Sequence, residues 1–475
     1  MSGAEPERLS PATLGQVSAD IARPQYDHAA QRRGIVHFGI GAFHRAHQAV
    51  YTDDAMNAGD RDWGITGVSL RQPTVREQLV PQRGLYSLIE RRPDGDAARI
   101  IGAVQDVLVG REDPAAVVAA IAAPDTQIVS LTITEKGYHR APDGTLDFDD
   151  PVIRAELADG AAPRTIYGFL RASLAKRRAA GLSGLTLISC DNLAANGAVL
   201  RDGLESFLER ADPMLARWFA DHCACPSTMV DRIVPATTPG DLDQLASRLS
   251  VRDEAAVVTE PFRQWVIEDR FATPRPRWEL GGAQFVTDVH AYELAKLRLL
   301  NGAHSALAYV GLLAGHRFVH EAIGDPAIRD LIERLWDEAA TTLPPSPGLD
   351  IAAYRQLLAA RFANPRLPHS LTQIAMDGSQ KLPQRWFATL ADAARLGRPC
   401  PALLQALAGW LAYARGDRFD VADPLAETLA AAWRDAGASQ IAATLFGSGG
   451  LFASQWQADP ATLAQLTAMI HAQLV

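Results

Sequence analysis

An α/β domain built on a mainly parallel sheet, followed by a mainly α-helical domain, is the architecture that this 475-residue sequence predicts. Three observations carry it. Over the first two thirds, short β-branched runs alternate with helical segments, the pattern of a parallel sheet covered on both faces. The first of those runs ends in a glycine-rich turn. From about Tyr292 the spacing becomes helical throughout, which puts a boundary near residue 285 and gives domains 1–285 and 286–475. The length agrees, since it exceeds one ordinary domain.

Residues 34–41 (GIVHFGIG) are an apolar strand ending in glycines, and 45–59 follow with helical spacing. Residues 63–70 (WGITGVSL) form the second strand, with a short helix from about Thr74. Stretches 86–91 and 98–109 are further strands, 114–122 is helical, and 127–134 (QIVSLTIT) is a buried strand. A helix over 164–180, a strand at 185–190 (LTLISC) and a helix over 198–211 continue the alternation. The later segments 292–316, 325–342, 351–362, 386–396, 402–414, 422–436 and 460–475 are helical, with proline or glycine between them. No internal repeat or low-complexity tract interrupts the chain.

Composition narrows the partners. With 48% hydrophobic and 21% charged residues the chain can bury a core, which excludes a disordered protein. A formal charge of −9, from 46 Lys+Arg against 55 Asp+Glu, argues against a nucleic-acid binder held by phosphate contacts. The first 25 residues lack the basic start and apolar run of an export signal. The longest apolar stretches, such as 306–314, fall short of the roughly 20 residues that cross a bilayer. Cys223 and Cys225, one residue apart, are neither a bridging pair nor a zinc CxxC, and Cys190 and Cys400 read as small buried side chains. The expectation is a cytoplasmic protein with no nucleic-acid or membrane partner; the oligomeric state stays open.

The turn Gly39-Ile40-Gly41-Ala42-Phe43-His44 carries the first two glycines of a GxGxxG dinucleotide turn, with His44 in the third position. The first glycine permits the tight turn, and the second lets backbone N–H groups approach a pyrophosphate at a helix N-terminus. His44 and Arg45 can add cationic contacts to a phosphate. Dinucleotide folds usually end the second strand with an Asp or Glu for the adenosine ribose. This chain has Ser69-Leu70-Arg71-Gln72-Pro73 there, so Arg71 meets either solvent or a 2′-phosphate, and NAD against NADP is open. His37, His44 and His47 lack a nearby carboxylate and no HExxH or CxxC follows, so no metal is expected.

The second clue is 292–304, YELAKLRLLNGAH. At 100° per residue, Asn301 falls about 140° from Lys296, His304 about 80°, and Glu293 about 60° to the other side. Four proton-handling or hydrogen-bonding side chains thus share one broad face, opposite Leu294. Gly302 inside the run costs about 1 kcal/mol relative to alanine, and close approach of a ligand is one reason to keep it. Oxidising a secondary alcohol needs a base for the hydroxyl proton, donors for the developing alkoxide and a nicotinamide for the hydride. This face suits that task, and a wetted surface helix is the alternative.

The blocks GIGAFHRAHQAVYTD (39–53), TITEKGY (132–138), SCDNLAANG (189–197), MVDRIVPAT (229–237), EPFRQWVIED (260–269) and KLRLLNGAH (296–304) closely resemble the polyol-specific long-chain dehydrogenase/reductase family, or mannitol dehydrogenase family. They occur in the family's order over nearly the whole chain. The resemblance implies a Rossmann-type dinucleotide-binding N-terminal domain, a helical substrate and catalytic domain, and a zinc-independent, NAD(P)-dependent oxidoreductase of carbohydrate metabolism. Carried over by position, Lys296 is the general acid/base, and Asn192 and Asn301 hold the substrate oxygen. His304 helps bind substrate and Glu293 gates proton exchange. Asp231 and Lys381 line the substrate cavity. Ile35, Val36, His37, Phe38, Gly39, Ile40, Gly41, Ala42, Phe43, His44, Arg45 and Ala46 match the dinucleotide turn, and Glu135 falls near the nicotinamide. The block IAMDGSQKLPQR (374–385) looks more like the members that reduce D-fructuronate to D-mannonate than those that oxidise D-mannitol to D-fructose. Lys381 or Arg385 can serve the carboxylate of such a sugar acid; a mannitol or other polyol substrate is the alternative.

Overall fold

In the computed structural model, which describes residues 6–158 and 160–474, the chain divides into two units, Met1–Val289 and His290–Val475. The N-terminal unit contains strands β1 (Ile35–Phe38), β2 (Ile65–Ser69), β3 (Tyr86–Arg92), β4 (Gly95–Ile101), β5 (Val104–Val109), β6 (Ile128–Leu131), β7 (Thr186–Ser189), β8 (Thr228–Asp231), β9 (Val257–Thr259), β10 (Gln264–Glu268) and β11 (Gln284–Val286). Five of them form an all-parallel sheet in the order β5-β2-β1-β6-β7, the Rossmann arrangement that the sequence pattern anticipates. Successive residues of β1 feed opposite faces. Val36 and Phe38 join a core with the helices Pro114–Ala122, Ile166–Ala179 and Asn196–Ala211. Ile35 joins a second core with the helix Gln48–Asn57 and the smaller sheets.

Two expectations of continuous alternation are corrected. The stretch 98–109 is two strands in two sheets, broken at Gly102, whose amide bonds Asp53 Oδ1 at 2.9 Å. β3 and β4 are an antiparallel hairpin rather than members of the parallel sheet, joined through Pro93-Asp94-Gly95, a turn sequence with a known mechanism. β9 extends that hairpin, and β8, β10 and β11 form a third sheet. These four strands of three to five residues are too short to show periodicity.

The C-terminal unit is helical, as the sequence predicts. Gly302–Leu313 lies at its centre, buried on nearly every side, among Pro326–Ala340, Leu371–Ala375 and Pro401–Ala414. The segment 386–396 belongs to a longer run that starts at Gly378 and absorbs Pro383 by widening into a π turn over Pro383–Phe387. The segment expected at 422–436 is helical from Ala426 and extends to Phe446, with Gly437 at φ +61° bending it. The last helix is Pro460–Gln473; Val475, also expected in it, lies outside the described residues. Among the described residues no helix is long and apolar enough to cross a membrane.

Candidate active site

All five parallel strands point one way, so the loops after them gather at one edge of the sheet. The chain crosses from one side of β1 to the other between β5 and β6, which makes the β1/β6 junction the switch point where such sheets take ligands. Gly39 follows β1 there with φ +93°, and a Cβ on it would lie 2.0 Å from the Thr132 carbonyl oxygen. Gly41 differs. Its conformation is ordinary (φ −75°), and the nearest atom to an added Cβ is 3.9 Å away. Gly39 is therefore required by the fold, whereas the space over Gly41 is open. Gly41 also caps the helix Ala42–Ala46 without a side chain, leaving the first amides of that helix without a partner inside it. An open backbone beside unpartnered amides at the switch point fits a dinucleotide pyrophosphate.

The side chains of this turn brace it from beneath. His37 is fully buried in β1: Nε2–H donates to Thr132 Oγ1 (2.9 Å), whose proton goes to the Gly39 carbonyl (2.7 Å), and Nδ1 accepts from the Ser130 hydroxyl (2.8 Å). Burial pushes its pKa down to about 3. His44 stacks on His37 with ring centroids 3.4 Å apart, and burial, with His37 and Arg45 adding to it, holds its pKa well below the ordinary value. Arg45 is buried and its Nη1 donates to the Ala255 carbonyl, while the Tyr86 hydroxyl donates to the Arg45 carbonyl. The expectation that His44 and Arg45 offer charge to a phosphate is corrected: one is neutral and the other is engaged in the protein. Ile35, Val36, Phe38, Ile40 and Ala46 are core residues, so they reach a cofactor through the backbone they set.

At the same edge, Asn192 is exposed just beyond β7 and Glu135 is exposed beyond β6. The buried Asp191 ties the two loops together. Its carboxylate accepts from the amides of Ile133 (3.2 Å) and Thr134 (2.8 Å) and from the Tyr138 hydroxyl (2.7 Å). It holds Thr134 at φ +67°, a strained value for a β-branched residue. Asp231 ends β8, buried, and the adjacent Arg232 donates to the carbonyls of Ala46 (2.5 Å) and Glu260 (2.9 Å) and to Glu90 Oε1 (2.9 Å). Asp191 and Arg232 escaped the sequence reading, although each stands next to a residue it named.

In the C-terminal unit, the run with the lysine is not one α-helix. His290–Ala295 is α-helical, Lys296–Asn301 is a π turn in which the Gly302 amide is shared between the Leu297 carbonyl five residues back and the Leu299 carbonyl three residues back, and the α-helix resumes at Gly302. An i→i+5 turn holds roughly one residue more than an α turn. Asn301, five residues after Lys296, therefore stands close to one turn above it instead of about 140° away, and His304 follows as an i,i+3 neighbour of Asn301. The wide turn collects on one strip what an ideal α-helix would spread around the cylinder. The strip is not a wetted surface: Glu293 and His304 are buried and Lys296 and Asn301 half-buried. Glu293 faces His290 at 4.0 Å.

His304 meets His369 edge-on with centroids 5.3 Å apart. Burial, then His369, Arg361 and Arg385, holds its pKa well below the ordinary value, so it is an uncharged hydrogen-bonding group. Lys381 is half-buried, its ammonium donating to the Met376 carbonyl at 2.6 Å, and burial followed by Arg385 lowers its pKa. Arg385 turns its Nη1 to Ser305 Oγ (2.9 Å) and to the Asn301 carbonyl (3.4 Å). Arg385 therefore gives its Nη1 to the helix bearing Asn301, and its Nε and Nη2 are not part of those contacts. An added Cβ on Gly302 would sit 3.6 Å from Trp386 Nε1 and 3.7 Å from the Arg385 carbonyl, so this glycine borders a neighbouring segment rather than a ligand.

Comparison with known proteins gives a consistent answer. The family model described as the mannitol dehydrogenase Rossmann domain matches residues 33–280, and that of the mannitol dehydrogenase C-terminal domain matches 288–473. The chain is 43% identical to D-mannonate oxidoreductase of Escherichia coli over 93% of each chain. It is 42% identical to mannitol 2-dehydrogenase of Phaeosphaeria nodorum over 90% of this chain and 78% of that one. The solved ternary complex of Pseudomonas fluorescens mannitol 2-dehydrogenase with NAD and D-mannitol is 37% identical, with a TM-score of 0.82 over 98% of this chain and 96% of that one.

Proposed function

The chain belongs to the mannitol dehydrogenase family, oxidoreductases that act on a CH–OH group, and from that premise we propose that it interconverts D-fructuronate and D-mannonate with Lys296 as general acid/base. The observation that supports this most is the π turn that lines up Lys296, Asn301 and His304. In the direction of oxidation, the Lys296 amine takes the proton of the substrate hydroxyl while the Asn301 and Asn192 side-chain amides donate to the developing alkoxide. Neutral His304 orients a neighbouring hydroxyl through a hydrogen bond, without charge. Glu293 passes the proton on to solvent, and Asp231 and Lys381 contact the sugar. When bound, a nicotinamide cofactor accepts or supplies the hydride. Residues 35–46 and Glu135 of the N-terminal unit serve that cofactor, and the helical unit serves the sugar.

NAD is the cofactor this reading takes, because the P. fluorescens relative was solved with it. Ser69 and the exposed Arg71 at the end of β2 keep NADP in the test. The residues of 374–385 favour a sugar acid, with Lys381 as the cation for its carboxylate. D-mannitol/D-fructose is the second reading, favoured by the commitment of Arg385 to Ser305, which leaves one cation fewer for a carboxylate. One experiment addresses both: kcat/KM for D-fructuronate, D-mannonate, D-fructose and D-mannitol with each nicotinamide, for the native chain and Lys296→Ala. The proposal expects the sugar acids to lead and Lys296→Ala to lose about 10²–10⁴-fold in kcat. A Lys296→Ala protein with native kcat ends the mechanism, and a lead for D-mannitol replaces the substrate.

A further inference from the structure

A π turn is a rare, wide form of helix, so contacts from outside the helix matter to its persistence. Around Lys296–Asn301 and at the start of the α-helix that follows, side chains of distant segments bond the backbone in addition to the helix's own amides. Trp336 Nε1–H donates to the Leu299 carbonyl (2.9 Å), Trp386 Nε1–H to the Gly302 carbonyl (3.1 Å), and Arg385 Nη1–H to the Asn301 carbonyl (3.4 Å) and the Ser305 hydroxyl (2.9 Å). Arg385 and Trp386 themselves sit in the second π turn, Pro383–Phe387, where the Ala388 amide reaches the Pro383 carbonyl five residues back. Proline has no amide and crowds the preceding turn, so the segment widens at Pro383. That widening sets the direction in which the Arg385 and Trp386 side chains leave the helix.

We propose that Arg385 and Trp386 are positioning residues that hold the wide turn in register, keeping Asn301 one turn above Lys296. The proposal rests on the reading of Lys296 as the base. Arg385 spans the junction of the π turn and the α-helix, one contact on the Asn301 carbonyl and one on Ser305. Trp386 takes the carbonyl between them. Without these outside contacts the run closes into an ordinary α-helix, the commoner form. That change swings Asn301 away from Lys296 by roughly a quarter of a turn. Base and oxyanion donor would then no longer address one oxygen, a misplacement that costs turnover rather than affinity.

The test uses the full chain with Arg385→Met, Trp386→Phe, Ser305→Ala and the double variant Ser305→Ala/Arg385→Met, each assayed with a carboxylated hexuronate and an uncharged ketose of the same length. Arg385→Met is expected to lower kcat about 10- to 100-fold on both substrates while the sugar KM changes less than about twofold. Trp386→Phe and Ser305→Ala lower kcat in the same direction by less, and the double variant is no slower than Arg385→Met alone, because both contacts serve one turn. Free guanidinium added to an Arg385→Ala protein restores part of the lost kcat. A KM that rises for the hexuronate alone shows Arg385 to be a carboxylate ligand and overturns the proposal, as does unchanged kcat in Arg385→Met and Trp386→Phe. If Arg385→Met does not fold, Trp386→Phe and Ser305→Ala decide alone, on the same kcat-against-KM split. Lys296→Ala separates the two claims: if it keeps turnover the base is wrong, and if it loses turnover while the positioning variants keep theirs, only the positioning is wrong.

Discussion

At the glycine turn after β1 the atoms that matter are backbone amides, and at the lysine strip they are side chains; the two regions are braced in opposite ways. The turn is held from beneath by neutral buried groups, His37 on Ser130 and Thr132 and His44 stacked on His37, so that nothing need project over Gly41. The strip is held from behind by donors to its own carbonyls, and its polar side chains lie on the other side of the helix from those donors. A site that offers backbone keeps its side chains inside, and a site that offers side chains anchors its backbone.

The largest expected effect that separates the two is on stability against pH. His37, His44 and His47 in the N-terminal unit are fully buried, with pKa values pushed to about 3 for His37 and His47 and well below the ordinary value for His44. Their folded values lie below an unfolded value of about 6.5, so the unfolded chain gains protons first as the pH falls. The stability they support is complete above about pH 6.5 and is lost below it, by up to about 1.4 kcal/mol per pH unit for each. Hydrogen exchange at pH 7 and pH 5 should show the N-terminal unit opening more readily at pH 5; equal protection at both would remove the neutral-histidine account.

Gly39→Ala comes next. Positive φ and a clash with the Thr132 carbonyl together should cost about 2–5 kcal/mol, read from urea unfolding. Gly41→Ala should barely change that unfolding curve yet weaken NADH binding about tenfold, read by fluorescence titration, because its methyl would fill the space that a pyrophosphate needs. Should the two alanine variants behave alike, the division of labour between the glycines is wrong. The smallest effect belongs to the strip. Gly302→Ala meets Trp386 and Arg385 at ordinary contact distance, and the melting temperature should stay level or rise, by no more than the equivalent of about 1 kcal/mol.

Much of this was legible in the sequence. The strands of the parallel sheet are visible because burial writes them as apolar runs; the hairpin at 86–101 is announced only by its turn, Pro93-Asp94-Gly95, and not by its strands. Lys296 carried a further signal, in that only four of the 46 cationic residues are lysines, at positions 136, 176, 296 and 381. Arginine does not give up its proton, so a lysine in an arginine-rich chain marks a place where an amine that can do so is useful. Lys296 and Lys381 are both among the residues proposed for the site. The contact of Arg385 Nη1 with the Asn301 carbonyl is not legible, because a cation in a motif looks the same in sequence whether it meets a ligand or a carbonyl.

The sequence by itself determined which residues form the sheet, where the glycine turn lies, where helices take over and which family the motifs belong to, since all of these are local patterns of polarity and backbone preference. Only the tertiary structure decided that His44 is neutral, that Arg45 and Arg385 serve carbonyls, and that Asn301 stands above Lys296. Charge depends on burial, and burial is set by the whole chain. The wide turn at Lys296 is fastened at its end by Trp336, Trp386 and Arg385, which lie 37 to 84 residues further along than the carbonyls they meet. No periodicity within the helix records the arrival of those donors.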